Sequence, residues 1–63
     1  MNYFRAVNDK QLGICLRMIY AEHIHSFVET VMNDKGKIEF HVYINAEEHY
    51  RKQLIERYEI LIS

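Results

Sequence analysis

The strongest constraint on the fold is an alternation in the second half of the chain. Between Lys37 and Ile44, apolar residues occupy every second position, namely Ile38, Phe40, Val42 and Ile44. Neighbouring side chains of a strand point to opposite faces, so this pattern predicts a β-strand with one buried and one open face. The chain must then form a sheet and cover one side of it.

The four residues before this strand, Asn33-Asp34-Lys35-Gly36, predict a tight hairpin to a strand over 24–32. Glycine in the last position is typical of a type I turn followed by a left-handed residue. Counting back from the turn sets Met32 opposite Ile38, Thr30 opposite Phe40, and Val28 opposite Val42. We expect those side chains on the buried face. A slip by one residue would place Glu29 beside Val42, so pattern and turn agree on the register.

The other face of the hairpin combines aromatic and charged residues. The same register sets Val31 opposite Glu39, Glu29 opposite His41, and Phe27 opposite Tyr43. Tyr3 and Arg5 of a first strand over 2–7 join this face if Phe4 and Ala6 point inward. Exposed aromatic residues on an open sheet are typical of a contact surface. The alternative is that these pairs only stabilise the hairpin. From the acid–imidazole pair Glu29–His41 we expect a pH response.

Two capping patterns predict helices on either side of the hairpin. Asn8 with Gln11 has the spacing of a capping box and precedes an apolar stripe, which predicts a helix over 9–22. Asn45 with Glu48 repeats the spacing and predicts a second helix over 46–57. The tail, 59–63, alternates and contains β-branched residues, so we expect a short final strand. The fold class is therefore α+β: ferredoxin-like βαββαβ, or βαββα if the tail is helical, with an antiparallel sheet and two helices on one face.

Length and charge limit the function classes. The 63 residues suffice for a single α+β domain over 1–63, and the net charge is −1. Nucleic-acid-binding domains usually carry a basic excess, so nucleic acid is an unlikely partner. No apolar run approaches the roughly 20 residues that cross a bilayer, and the N-terminus lacks the apolar core of a signal peptide. We expect a cytoplasmic protein of bacterial or phage type, with no membrane contact.

Four histidines raise the question of a metal site. His23 and His25 can share one side of a strand, but zinc needs a third and fourth ligand. The register separates His41 from His25 by roughly 13 Å, and His49 falls on the second helix. The sequence therefore predicts no metal ligand and no cofactor.

An enzyme is also disfavoured. Cys15, the only cysteine, falls in the apolar stripe of the first helix, where a buried structural thiol is expected. Glu29–His41 could act as an oriented base, but no nucleophile or oxyanion donor accompanies the pair. We predict no catalytic residue.

Two segments carry a resemblance to a known group of proteins. Ala21-Glu22-His23-Ile24, and the run from Phe40 to Glu48, occupy places similar to those in small prokaryotic putative signal-transducing domains with a PII-like, ferredoxin-type fold. The resemblance spans about 3–57 and implies that fold, but no substrate. The group typically has glycine at the position of His23, and a small residue where this chain has His49-Tyr50.

We therefore expect a small, non-enzymatic interaction or regulatory module. It self-associates, as a homodimer, or binds a protein partner through the open face formed by Phe27, Glu29, His41, Tyr43, Tyr3 and Arg5. The alternative is a single-stranded nucleic-acid-binding module that stacks bases on the same aromatic face. A histidine-based enzyme or metal binder is the third hypothesis.

Overall fold

Three strands and two helices make up the described part of the chain, which is residues 2–63 of a computed structural model. The elements are β1 (Phe4–Ala6), α1 (Asp9–Ala21), β2 (Ser26–Met32), β3 (Ile38–Ile44) and α2 (Glu48–Ile62). The strands form one antiparallel sheet in the order β1-β3-β2. The fold is α+β, with the shorter of the two predicted element orders.

The hairpin turn has the predicted geometry. Gly36 has φ +74°, the Gly36 N–H donates to the Asn33 carbonyl at 3.0 Å, and the Asn33 N–H donates to the Lys37 carbonyl at 2.8 Å. The Asn33 side-chain oxygen also accepts from the backbone N–H of Lys35 and of Lys37, at 2.9 and 3.0 Å. The predicted register is confirmed along the whole ladder, from Met32 opposite Ile38 to Phe27 opposite Tyr43.

Both ends of α1 are closed by local hydrogen bonds. The Asn8 side chain accepts from the Gln11 N–H at 2.9 Å, as predicted, and the Gln11 side-chain oxygen accepts from the Val7 N–H at 3.0 Å. At the other end His23 adopts φ +57°, and its N–H donates to the Tyr20 carbonyl. Since the N–H of Ile24 donates to the Ile19 carbonyl, this end is a Schellman motif with histidine in the position that glycine usually takes.

Helix α2 differs from the prediction at both ends. Its N-cap is Glu47 rather than Asn45, because the Glu47 carboxylate accepts from the N–H groups of His49 and Tyr50 at 2.8 and 3.2 Å. The helix then continues to Ile62, so the strand predicted over 59–63 is wrong. The helical tail extends the stripe of Leu54 and Tyr58 by one turn and packs Ile62 against the core. No helix among residues 2–63 is long and apolar enough to cross a membrane.

The core lies between the helices and the β1 side of the sheet. The Tyr58 ring meets Phe4 edge-on at 5.7 Å, and the Tyr58 hydroxyl donates to the Arg5 carbonyl at 2.7 Å. The Tyr50 hydroxyl donates to Glu22, which ties the start of α2 to the end of α1. The buried apolar residues are Phe4, Ala6, Cys15, Met18, Ile19, Val42, Ile44, Leu54, Ile55 and Tyr58.

The helices leave β2 uncovered, which corrects one prediction. Val28, Met32 and Ile38, expected on a buried face, are 38%, 67% and 55% exposed. Helix α1 packs on β1 and on α2, while Tyr58 anchors α2 to β1. Both helices therefore sit toward the β1 side, and the helix side of β2 stays open to solvent.

His23 and Gly36, which both have positive φ, offer opposite tests of the backbone. His23→Gly relieves a left-handed conformation that disfavours a Cβ, so we expect the free energy of unfolding to rise by about 1 kcal/mol. Gly36→Ala introduces that strain where a new Cβ meets no atom within 4 Å, so we expect a loss of about 1 kcal/mol. Urea denaturation followed by circular dichroism measures both. A destabilised His23→Gly variant would mean that the imidazole makes a contact worth more than the strain.

Candidate interaction surface

The sheet face turned away from the helices, called the open face below, gathers all six side chains predicted for it. Arg5 lies opposite His41 across β1 and β3, while Phe27 lies opposite Tyr43 across β2 and β3. Tyr3, just before β1, reaches over the same side. The members of the open face are Tyr3, Arg5, Phe27, Glu29, Val31, Glu39, His41 and Tyr43.

Glu39 is the centre of the polar part of this face. It is only 5% exposed, although no helix covers it. Arg5 donates from Nε and Nη2 to the two carboxylate oxygens at 2.9 and 3.0 Å, a bidentate pair. His41 Nε2 lies 2.7 Å from Glu39 Oε2, and Asn33 Nδ2 lies 3.4 Å from Oε1. One buried carboxylate therefore joins β1, β3 and the hairpin turn.

The acid beside His41 is Glu39, not Glu29, which corrects the predicted acid–imidazole pair. Glu29 does lie opposite His41 in the ladder, but its carboxylate meets the Tyr43 hydroxyl at 3.4 Å. Arg5 holds Glu39 in place, so the nearer acceptor for the imidazole lies two residues along its own strand. The signal was present in the sequence, because Glu39 and His41 share a face at a spacing of two. Predicting the pair required knowing that β1 lies beside β3, which the turn does not determine.

The network fixes the charge of Glu39 and of Arg5. Hydrogen bonds from Arg5, and then from His41, lower the pKa of the Glu39 carboxyl from 4.5 to about 2, against an opposing effect of burial. The same contact raises the pKa of Arg5. Burial, and then the nearby Glu29 charge, raise the pKa of Tyr43, so its phenol stays protonated and can donate. At neutral pH the cation of Arg5 is therefore neutralised within the face.

An aromatic row runs beside this network from the residue before β1, across β3, to β2. Tyr3 stacks on His41 with ring centroids 4.1 Å apart and planes 22° apart. Tyr3 and Tyr43 are 5.5 Å apart, and Tyr43 and Phe27 are 6.3 Å apart. Phe27, at the end of the row, is 65% exposed. A shallow hollow of about 420 Å³ lies next to it, bordered by His25 and Asn45.

The other candidate chemical groups do not converge. Within the described range 2–63, no three His, Cys, Asp or Glu side chains meet at a point that could hold a metal ion. His49 contacts Gln53 at 3.3 Å, on α2. Cys15 is buried, and burial raises the pKa of its thiol to about 12, which keeps it in the unreactive thiol form.

The Glu39 network predicts a defined loss of stability in acid. Its folded-state pKa of about 2 lies below the ordinary value of 4.5, so its contribution is complete above pH 4.5 and disappears as the pH falls toward 2. Glu39→Gln removes that contribution. We therefore expect the unfolding free energies of wild type and variant to converge over this range, as measured by urea denaturation.

A variant of the partner residue tests the cause. In Arg5→Met the first source of the lowered pKa is gone, so the Glu39 carboxyl should titrate at higher pH by NMR than in wild type. A wild-type Glu39 that already titrates near 4.5 would contradict the network.

Comparison with known proteins supplies no relative for this chain. No protein-family model, no curated protein and no solved structure matches it. The contacts of the open face therefore carry the functional argument.

Proposed function

We propose that the chain is a small non-enzymatic interaction module whose open face binds a protein, either a partner or a second copy. The carrying observation is the aromatic row that ends at Phe27, which is 65% exposed on a sheet face without a helix. Aromatic side chains are enriched at the centres of protein interfaces, where they supply most of the binding energy.

The polar network supports binding by a rigid surface. Glu39 holds Arg5 through two hydrogen bonds, and His41 is fixed between Glu39 and the Tyr3 ring. Side chains that are already ordered lose less rotational freedom when a partner arrives, which lowers the cost of association. The same network satisfies the buried carboxylate before binding, so a partner can cover it without leaving it unpaired.

Single-stranded nucleic acid is the alternative ligand, and the aromatic row is the observation in its favour. Bases stack on such rows in sheet-based binding modules. The electrostatics favour a protein instead, because Arg5, the cation at the centre of the face, already donates from Nε and Nη2 to the Glu39 carboxylate. Glu29 adds a second carboxylate beside Tyr43, where a phosphate backbone would have to pass.

The arrangement of elements supports a wider proposal about fold and role. The order β1-β3-β2, with antiparallel neighbours, is that of a ferredoxin-like sheet without its fourth strand. We propose that class, and with it the regulatory role implied by the resemblance to putative signal-transducing domains. His23 occupies a left-handed position, where the glycine typical of that group would be unstrained. A single buried thiol accords with a cytoplasmic setting.

Paired alanine substitutions test whether self-association uses the open face. If copies associate through the open face, the mass of Phe27→Ala/Tyr43→Ala should fall below that of wild type while the fold is kept, because the row would then contribute to the interface rather than to the core. Light scattering over the micromolar range measures the mass, and circular dichroism measures the fold. Tyr20→Ala is the matched control, since Tyr20 is an 83% exposed aromatic residue on α1, and it should leave the mass unchanged. A double variant that associates like wild type would rule out this face as the surface between copies.

The nucleic-acid alternative is tested with a fluorescently labelled single-stranded oligonucleotide. We expect no change in anisotropy at physiological salt, because the central cation is neutralised by Glu39. Binding that weakens with salt and disappears in the Phe27→Ala/Tyr43→Ala variant would instead establish the alternative.

A further inference from the structure

Along the outer edge of β2, every second residue directs its backbone N–H and C=O groups away from the sheet. Asn33 directs its N–H at Lys37 of the neighbouring strand segment. In an antiparallel ladder this direction alternates along the strand, so Val28, Thr30 and Met32 direct their N–H and C=O groups away from β3. Since β2 is the last strand of the sheet, these groups face solvent.

This edge lacks the features that usually keep an edge strand from pairing. Natural edges are interrupted by proline, lysine, bulges or inward-pointing charges. Ser26–Met32 contains no proline and no basic residue, and it pairs with β3 residue for residue. Its one charge, Glu29, points to the open face and not along the edge. Strand β2 is therefore an unbulged seven-residue template for a further strand.

The sequence of β2 matches itself in one antiparallel register. A two-fold axis at Thr30 sets Thr30 opposite Thr30 of the second copy, and Val28 opposite Met32 of the second copy. All these residues have outward backbone groups, so the three pairs exchange about six hydrogen bonds. Val28 and Met32 are exposed on the same, helix-side face, and in this register they form two apolar cross-strand pairs.

Two competing registers are less favourable for pairing. An axis at Glu29 keeps the phase of the backbone groups but brings the two Glu29 carboxylates directly opposite each other, which is unfavourable. A shift by a single residue brings outward groups of one copy against inward groups of the other, so no ladder forms. Of the three registers compared, the Thr30-centred one satisfies both the backbone phase and the side-chain pairing.

We propose that two copies of this chain pair through their β2 edges, antiparallel and centred on Thr30, to form one continuous six-stranded sheet. The arrangement is a closed, isologous dimer, since the same edge serves both copies. It also sets the two open faces side by side on one surface. The edge is a different surface from the open face, so this inference stands or falls independently of the function proposed above.

A proline at the centre of the edge tests the pairing. In Thr30→Pro the monomer loses no hydrogen bond to β3, because the Thr30 N–H points outward, whereas the dimer loses both central bonds. We expect sedimentation equilibrium to give twice the monomer mass for wild type and for Thr30→Val, which keeps the N–H, but the monomer mass for Thr30→Pro. A wild-type chain that remains monomeric from micromolar to millimolar concentration would overturn the proposal.

Two measurements on folded protein make the test independent of how well the proline is tolerated. In the dimer the amide protons of Val28, Thr30 and Met32 should exchange slowly, with protection that rises with concentration. If these amide protons exchange in the dimer as fast as in the dilute monomer, the interface lies elsewhere and the proposed edge pairing is wrong. If Phe27→Ala/Tyr43→Ala remains a dimer, the interface between the two copies does not use the open face.

Cysteine pairs determine the register. A chain with Glu29→Cys mixed with a chain with Val31→Cys should form a disulfide, because the proposed register sets these positions opposite each other at about 4.5 Å between Cα atoms. Cys15 does not compete, since it is buried in the core. Efficient disulfide formation by Glu29→Cys alone would instead establish the Glu29-centred register and contradict the proposed one.

Discussion

The left-handed conformation of Gly36 is the constraint on which the rest of the sheet depends. It ends the turn after Asp34 and Lys35, and it lets Asn33 close the loop on Lys37 with a short hydrogen bond. Because side chains alternate strictly between faces, this one turn decides the side of every residue in β2 and β3. It also decides which backbone groups of β2 face its partner strand and which face solvent. The open face and the free edge thus share one cause.

The helices add a second, asymmetric constraint. Tyr58 places its ring against Phe4 and its hydroxyl on the Arg5 carbonyl, and so draws α2 toward β1. A helix is about 10 Å wide and covers roughly two strands spaced 4.8 Å apart, so the position of the helix pair decides which strand stays bare. Here that strand is β2. A fully buried tyrosine at one side of the molecule therefore explains exposed valine and methionine at the other.

The sequence was sufficient wherever the structure is determined by neighbouring residues. The turn at Gly36, the ladder register and the Asn8 cap of α1 follow from contacts within a few positions. It was insufficient where distant segments decide. The tail stays helical because Tyr58 and Ile62 extend the buried stripe of α2, which outweighs the strand propensity of 59–63. The burial of Glu39 depends on β1, which lies 34 residues away from it along the chain at Arg5.

The Glu47 cap shows how close two local solutions can be. Asn45 has the side chain preferred at this position and the correct spacing to Glu48, yet the Glu47 carboxylate caps the helix two residues later. Either choice provides an acceptor for first-turn N–H groups that lack a helical partner, and an acid at a helix N-terminus also interacts favourably with the helix dipole. With the cap at Glu47, residues 45–47 form the connection from the sheet to the helix layer.

Charge and apolar surface are distributed in a way that suits association more than isolated stability. A chain of 63 residues buries a small core, and here one apolar side of β2 contributes nothing to it. The Arg5–Glu39–His41 network fixes the geometry of the open face as well as adding the stability that disappears in acid. A domain with a rigid polar face and an uncovered edge strand gains stability chiefly when another chain covers these two surfaces. If another chain covers these surfaces, as proposed, binding and folding are thermodynamically linked, and the apparent stability depends on protein concentration.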